Sequence, residues 1–204
     1  MGLIGAVVLL AIAIGVVLSR APLTVASTNF VPAEAPIAYT SGNATSCQTT
    51  TFPRDTVAIR VALSGDAGPR LRITVLSGSR VLARGERPAG WGVLASVIVP
   101  VRALSQTVRV AQICVAAGPA VDPIAVLGVP LSEHPPRKLG LKDVRLSLEY
   151  LRRGPKSWLS LGPSIFEHMG LGHAASGRLL PFLVLAMMIA IGVIAVRFTA
   201  EELR

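Results

Sequence analysis

Apolar and polar positions along this chain fall into three regimes: an uncharged apolar run over 1–19, a second over 179–196, and a long interior in which apolar residues alternate with polar ones. Regular alternation starts at Thr56. Val57, Ile59, Val61 and Leu63 alternate with Ala58, Arg60 and Ala62, and Leu71, Ile73 and Val75 alternate with Arg70, Arg72 and Thr74. A period of two sends successive side chains to opposite faces of a strand, so each segment buries one face and wets the other. Gly78-Ser79 is a two-residue turn signal, and it predicts a hairpin that pairs Val75 with Leu82 and Leu76 with Val81. Further strands are predicted over 94–101, 106–116, 124–129 and 142–151. In the last, Val144, Leu146, Leu148 and Tyr150 oppose Asp143, Arg145, Ser147 and Glu149. Glycine and proline punctuate the gaps. Seven or eight such strands, with no amphipathic helix among them, predict an antiparallel β-sandwich over 54–156.

The two apolar runs change this picture from a domain to a tethered domain. As a helix, about 18 residues reach roughly 27 Å, close to a ~30 Å hydrocarbon core. The expected fold class is therefore mainly β, an antiparallel β-sandwich ectodomain flanked by N- and C-terminal transmembrane helices. The first run reads as a signal-anchor, with a cleaved signal peptide as the alternative, because no basic residue precedes its apolar core. The second is bounded by Arg178 and Arg197, leaving a cytoplasmic tail over 197–204. Residues 20–53, with Pro22, Pro32, Pro36 and a Ser/Thr/Asn-rich stretch, read as a stalk and entry segment. Residues 157–178 read as a juxtamembrane joint, in which Ser164 and Glu167 form a capping-box pattern for a short helix.

Charge and cysteine content refine the location. The chain carries 20 Lys and Arg against 11 Asp and Glu, a formal net charge of +9. Such a balance attracts phosphate-bearing partners, meaning anionic lipid head groups or polyanions. Nucleic acid is not expected, since aromatic residues for base stacking make up only 4% of the chain. Arg137, Lys138, Arg152, Arg153, Lys156 and Trp158 are the candidate membrane-surface residues. Cys47 and Cys114 are the only cysteines, and a solitary pair in strand-like surroundings predicts a structural disulfide in an oxidising compartment. The expected location is the cell membrane, with two spans, the central domain extracytoplasmic and both termini in the cytoplasm.

Catalytic and cofactor signatures are missing from the sequence. His134, His168 and His173 fall in no metal-ligand pattern, and neither a nucleophile elbow nor a phosphate-cradling glycine loop occurs. No catalytic residue, metal or cofactor is assigned. The loop 84–91 is the candidate ligand site: an exposed Trp91 would stack on a sugar ring while Arg84, Glu86 and Arg87 fix its hydroxyls. For Trp91 itself the favoured reading is a core residue that closes one end of the sandwich.

The first apolar run, Ser46-Cys47-Gln48, Ala58-Ile59-Arg60-Val61, 75–81, Gly90-Trp91, Ile113-Cys114-Val115 and the joint over 158–172 together resemble uncharacterised two-span envelope proteins of high-G+C Gram-positive bacteria. The resemblance implies location and architecture, and no activity. The function it leads to is a non-enzymatic, membrane-anchored envelope protein whose β-sandwich binds or organises an envelope component. Its expected partners are the lipid bilayer and an envelope saccharide or a larger membrane protein. A second reading is an accessory subunit of a transporter or glycosyltransferase in envelope polysaccharide assembly. A third is a hydrolase with an unrecognised site.

Overall fold

The computed structural model describes residues 2–93, 96–132 and 139–169. The chain divides into two compact units, Leu23–Gly154 and a second made of Met1–Pro22 with Pro155–Arg204. All thirteen strands among the described residues lie in the first unit: β1 (Leu23–Thr28), β2 (Pro36–Thr40), β3 (Ala44–Phe52), β4 (Ala58–Val61), β5 (Leu63–Gly68), β6 (Leu71–Ser77), β7 (Arg80–Arg87), β8 (Trp91–Val93), β9 (Val97–Pro100), β10 (Val108–Ala117), β11 (Ile124–Pro130), β12 (Val144–Leu146) and β13 (Leu148–Arg153). Every pairing is antiparallel.

The strands form three sheets, β1-β13-β4-β9, β3-β10-β6-β7 and β12-β11-β5-β8, with β2 added against β11. The first and third are joined where two segments change sheets. β4 passes into β5 at Ala62, and β12 passes into β13 at Ser147. Three backbone bonds hold the seam: Ala62 N–H donates to Ser147 O at 3.1 Å, Leu127 N–H to Ala62 O at 3.2 Å, and Ser147 N–H to Leu127 O at 3.5 Å. The period-two pattern runs through both breaks without a fault. Val61, Leu63, Leu146 and Leu148 are all at most 1% exposed. Each predicted strand, 56–63 and 142–151, is therefore two strands serving two sheets.

The β3-β10-β6-β7 sheet packs its inner face on the other layer in a sandwich-like arrangement. Phe52 of β3 meets Tyr150 of β13 edge to face, with ring centroids 5.8 Å apart. Burial holds the Tyr150 hydroxyl up at about 12, partly offset by its contact with Thr50 and by the Arg145 charge. Buried polar groups join the same layers. Ser46 Oγ donates to Val144 O at 2.7 Å, and Leu146 O accepts from Gln48 Nε2 at 3.1 Å and from Asn29 Nδ2 at 2.6 Å. Asn29 Oδ1 accepts from Leu148 N–H at 2.9 Å, while Asn29 N–H donates to Leu148 O at 3.0 Å. The Asn29 side chain thus completes the last rung of β1, because the backbone turns left-handed at the next residue, Phe30, with φ of 57°.

The hairpin at Gly78-Ser79 is present. Gly78 has φ of 58° while Ser79 does not share the left-handed region, as a glycine-first primed turn requires. Leu76 pairs with Val81 as expected, but Val75 pairs with Ala83 rather than Leu82, because a bulge intervenes. Cys47 and Cys114 are bonded across β3 and β10, directly opposite in register with Cα atoms 4.0 Å apart.

Two sequence expectations are corrected. Residues 20–53 are no stalk: they supply β1, β2 and β3, and β1 and β3 are edge strands. The prolines that suggested irregular chain sit before β1, in the connection to β2 and at the first residue of β2, where no ladder donor is needed. The flanking transmembrane helices, and the two-span membrane location built on them, are also overturned. The first apolar run forms α1 (Gly2–Leu18), and no helix among the described residues is long and apolar enough to cross a membrane. At 17 residues α1 rises about 26 Å. It stops where Ser19 Oγ turns back to Val16 O at 2.8 Å, three residues before Pro22. The second run, 179–196, lies outside the described residues. α2 (Trp158–Met169) begins six residues before the expected cap, and Ser157 caps it instead, accepting from Ser160 N–H at 3.3 Å.

Candidate functional site

The outward residues of β3-β10-β6-β7 lie in rows set by the register. Cys47, Cys114, Thr74 and Arg84 form one row across the four strands, and Thr45, Ala116, Arg72 and Glu86 form the next. The inner positions Ser46, Gln48, Leu71, Ile73, Val75, Ala83, Ile113 and Val115 alternate with these and are buried. The same alternation that builds the core therefore aligns threonine, arginine and glutamate on the opposite surface.

On that surface Arg72, Thr74, Arg84, Gly85 and Glu86 line a hollow of about 620 Å³. Gly85 contributes bare backbone. A Cβ there would run into Pro100 O and Val101 Cγ1, so glycine is what lets β7 bridge to Val101 just past β9. Arg70 grips Glu86 Oε1 through Nε at 2.6 Å and Nη2 at 2.5 Å. Arg72 Nε stands 3.7 Å from Glu86 Oε2, too far for a hydrogen bond, so Oε2 keeps acceptor capacity. Arg84 makes no ion pair or hydrogen bond among the described residues. Three arginines against one glutamate leave a local charge of 3 − 1 = +2.

Of the residues singled out from the sequence, Arg84 and Glu86 line this hollow, although they lie in β7 rather than in a loop. Arg87 is exposed at the end of β7, out of phase with them, and is not a lining residue. As a sugar platform Trp91 is corrected: it is a core residue, the reading favoured for it from the sequence. It is 5% exposed, its Nε1 donates to Pro69 O at 2.7 Å, and its ring lies so close to Gly68 that a Cβ there would enter it. Sequence reasoning missed Arg70, Arg72 and Thr74. The signal was available, since all three occupy the wet phase of the strand that leads into the Gly78 hairpin.

The surface residues fall in separate places. Arg152 and Arg153 are exposed at the end of β13, opposite Thr24 and Leu23, in the β unit. Lys156 and the 45% exposed Trp158 belong to the other unit. Arg137 and Lys138 lie outside the described residues, as do His134 and His173. Among the described residues no group of three or more His, Cys, Asp or Glu could hold a metal ion.

No family model, curated protein or solved structure matches this chain.

Proposed function

We propose that the β unit is a non-catalytic recognition module that holds an anionic polymer on the outer face of β3-β10-β6-β7. The observation that carries this reading is Arg84. It is a guanidinium with no partner among the described residues, set in a hollow of about 620 Å³ beside Arg72 and Thr74. That volume is within the ~300–1,000 Å³ range of small-ligand sites. A guanidinium offers a planar fork of donors that matches carboxylate, sulfate or phosphate oxygens. The overall charge of +9 raises the local concentration of polyanions around the chain and speeds their encounter with it.

The face suits a polymer better than a small molecule. Thr45, Thr49 and Thr51 continue along β3 as exposed hydroxyl-bearing residues, so a chain lying across the strands meets polar groups beyond the hollow. The test is a titration of the full chain with heparin, polyphosphate and neutral dextran at several salt concentrations. Binding of the two polyanions that weakens with salt, and that Arg84→Ala reduces, supports the reading. Dextran binding as strong as polyanion binding, or no binding at all, refutes it.

A further inference from the structure

The hollow's own carboxylate narrows the ligand. We infer that it is a subsite for a hexuronate unit of an acidic glycan, an inference that rests on the polyanion-binding reading of the same face.

Three groups in the hollow make different demands. Arg84 calls for an anion. Glu86 Oε1 is occupied by Arg70, but Oε2 has only a 3.7 Å approach from Arg72 and calls for a hydroxyl or N–H donor. Thr74, in the row with Arg84, can donate or accept. A phosphate-rich polymer answers Arg84 and fails Glu86, because each further anion brought into the hollow faces a fixed carboxylate and no phosphodiester or polyphosphate oxygen has a proton to give it. A neutral glycan answers Glu86 and leaves Arg84 without a counter-charge. A hexuronate answers both within one ring: its carboxylate pairs with the Arg84 fork, and its ring hydroxyls donate to Glu86 Oε2 and exchange hydrogen bonds with Thr74.

The spacing agrees. Arg84 and Glu86 are two residues apart on one strand, so their Cα atoms stand roughly 6.5 Å apart and project to the same side. That separation suits a single pyranose ring bridging the two side chains. A carboxylate spends one charge per ring, and the local balance of +2 accommodates it without overloading the glutamate.

The experiment titrates the full chain at low salt with three probes, a hexagalacturonate, its fully methyl-esterified form and a polyphosphate of equal charge to the first. The variants are Arg84→Ala, Arg84→Lys and Glu86→Gln, each checked for an unchanged thermal transition. Hexagalacturonate should bind more tightly than either other probe, and Arg84→Ala should weaken it by about tenfold or more. Arg84→Lys, which keeps the charge but not the fork, should restore only part of that loss. The decisive readout is a change of opposite sign at Glu86. Glu86→Gln should weaken hexagalacturonate, by turning an acceptor of charge-assisted hydrogen bonds into a neutral amide, and should tighten polyphosphate by removing a repulsion. If Glu86→Gln tightens both probes alike, or Arg84→Ala leaves hexagalacturonate unaffected, the uronate subsite is overturned while the polyanion reading of the face stands on polyphosphate binding. Failure of every anionic probe to bind overturns both.

Discussion

Replacing Asn29 with alanine should cost the β unit about 2–4 kcal/mol. The amide is buried, and it carries two bonds of good length, from Nδ2 to Leu146 O at 2.6 Å and from Leu148 N–H to Oδ1 at 2.9 Å. These losses are unequal. Leu146 O keeps Gln48 Nε2 as a second partner, so that bond is worth only its net contribution, about 0.5–1.5 kcal/mol. Leu148 N–H faces β1, as its carbonyl does, and the acceptor it meets there is Asn29 Oδ1. Leaving this buried donor unpaired adds about 1–3 kcal/mol. Urea unfolding of the oxidised full chain, followed through the buried Trp91, should show the midpoint fall by roughly 1–2 M for a slope of about 2 kcal/mol/M. Asn29→Asp separates the two bonds. It keeps the acceptor for Leu148 N–H but sets an oxygen against Leu146 O, so the ionised form is disfavoured and its folded-state pKa rises above the unfolded value near 4. The penalty is absent below about pH 4 and grows as pH rises toward the folded-state value. A loss under 0.5 kcal/mol for Asn29→Ala, or a pH-independent penalty for Asn29→Asp, would refute the assignment of this side chain as the last rung of β1.

Gln48 should behave in the opposite way. Its Oε1 is buried without a hydrogen-bond partner, and Leu146 O retains Asn29, so Gln48→Met is expected to unfold within about 1 kcal/mol of the parent or later. A loss above 2 kcal/mol contradicts this. Reducing the Cys47–Cys114 bond, which closes a separation of 67 residues, should lower stability by about 4 kcal/mol on the chain-entropy account. Alkylation after partial reduction should mark the exposed Cys47 before the half-buried Cys114, and an unchanged unfolding midpoint would count against the first expectation. Tyr150, held at about 12 against an ordinary 10, contributes stability that is complete below pH 10 and lost as pH rises from 10 to 12. Tyr150→Phe should flatten that alkaline decline in a denaturation series, and a decline of the same slope would place its cause elsewhere.

The alternating segments make the core legible in the sequence itself. Ile73, Val75, Ile113, Val126, Val144, Leu146 and Leu148 stand where the period-two pattern puts them. The sheet changes at Ala62 and Ser147 cannot be read in the same way, because a strand can pass from one sheet to the next without disturbing its inward phase. The threonine-rich β3 has the composition of a loop because its buried phase is Ser46, Gln48 and Phe52, two of them polar, and the donors of both polar side chains reach only carbonyls about a hundred residues away. Trp91 is ambiguous in the sequence for a related reason: a tryptophan beside Arg, Glu, Pro and Gly has the composition of a binding loop, and the absence of a side chain at Gly68 shows where its ring goes. The hollow is half legible. Arg84 and Glu86 stand out as charges near a turn, but their partnership with Arg70, Arg72 and Thr74 depends on the bulge that shifts the hairpin register after Val75.

Leu23 opposes Arg153 in the β1–β13 ladder, so the first and last strands of the β unit start and finish at the same corner. A pull applied between these two residues loads the ladder one rung at a time, as a zipper, rather than shearing all its hydrogen bonds together. The first rungs to part are those near Thr24 and Arg152, and the peel then runs toward Asn29, whose side chain is the last tie before β1 comes free. The fold is thus mechanically soft along the line joining its ends. The same adjacency makes the corner a place to join the ends by a short linker and reopen the chain elsewhere, at an exposed turn such as Gly78-Ser79, with the sheets still able to form.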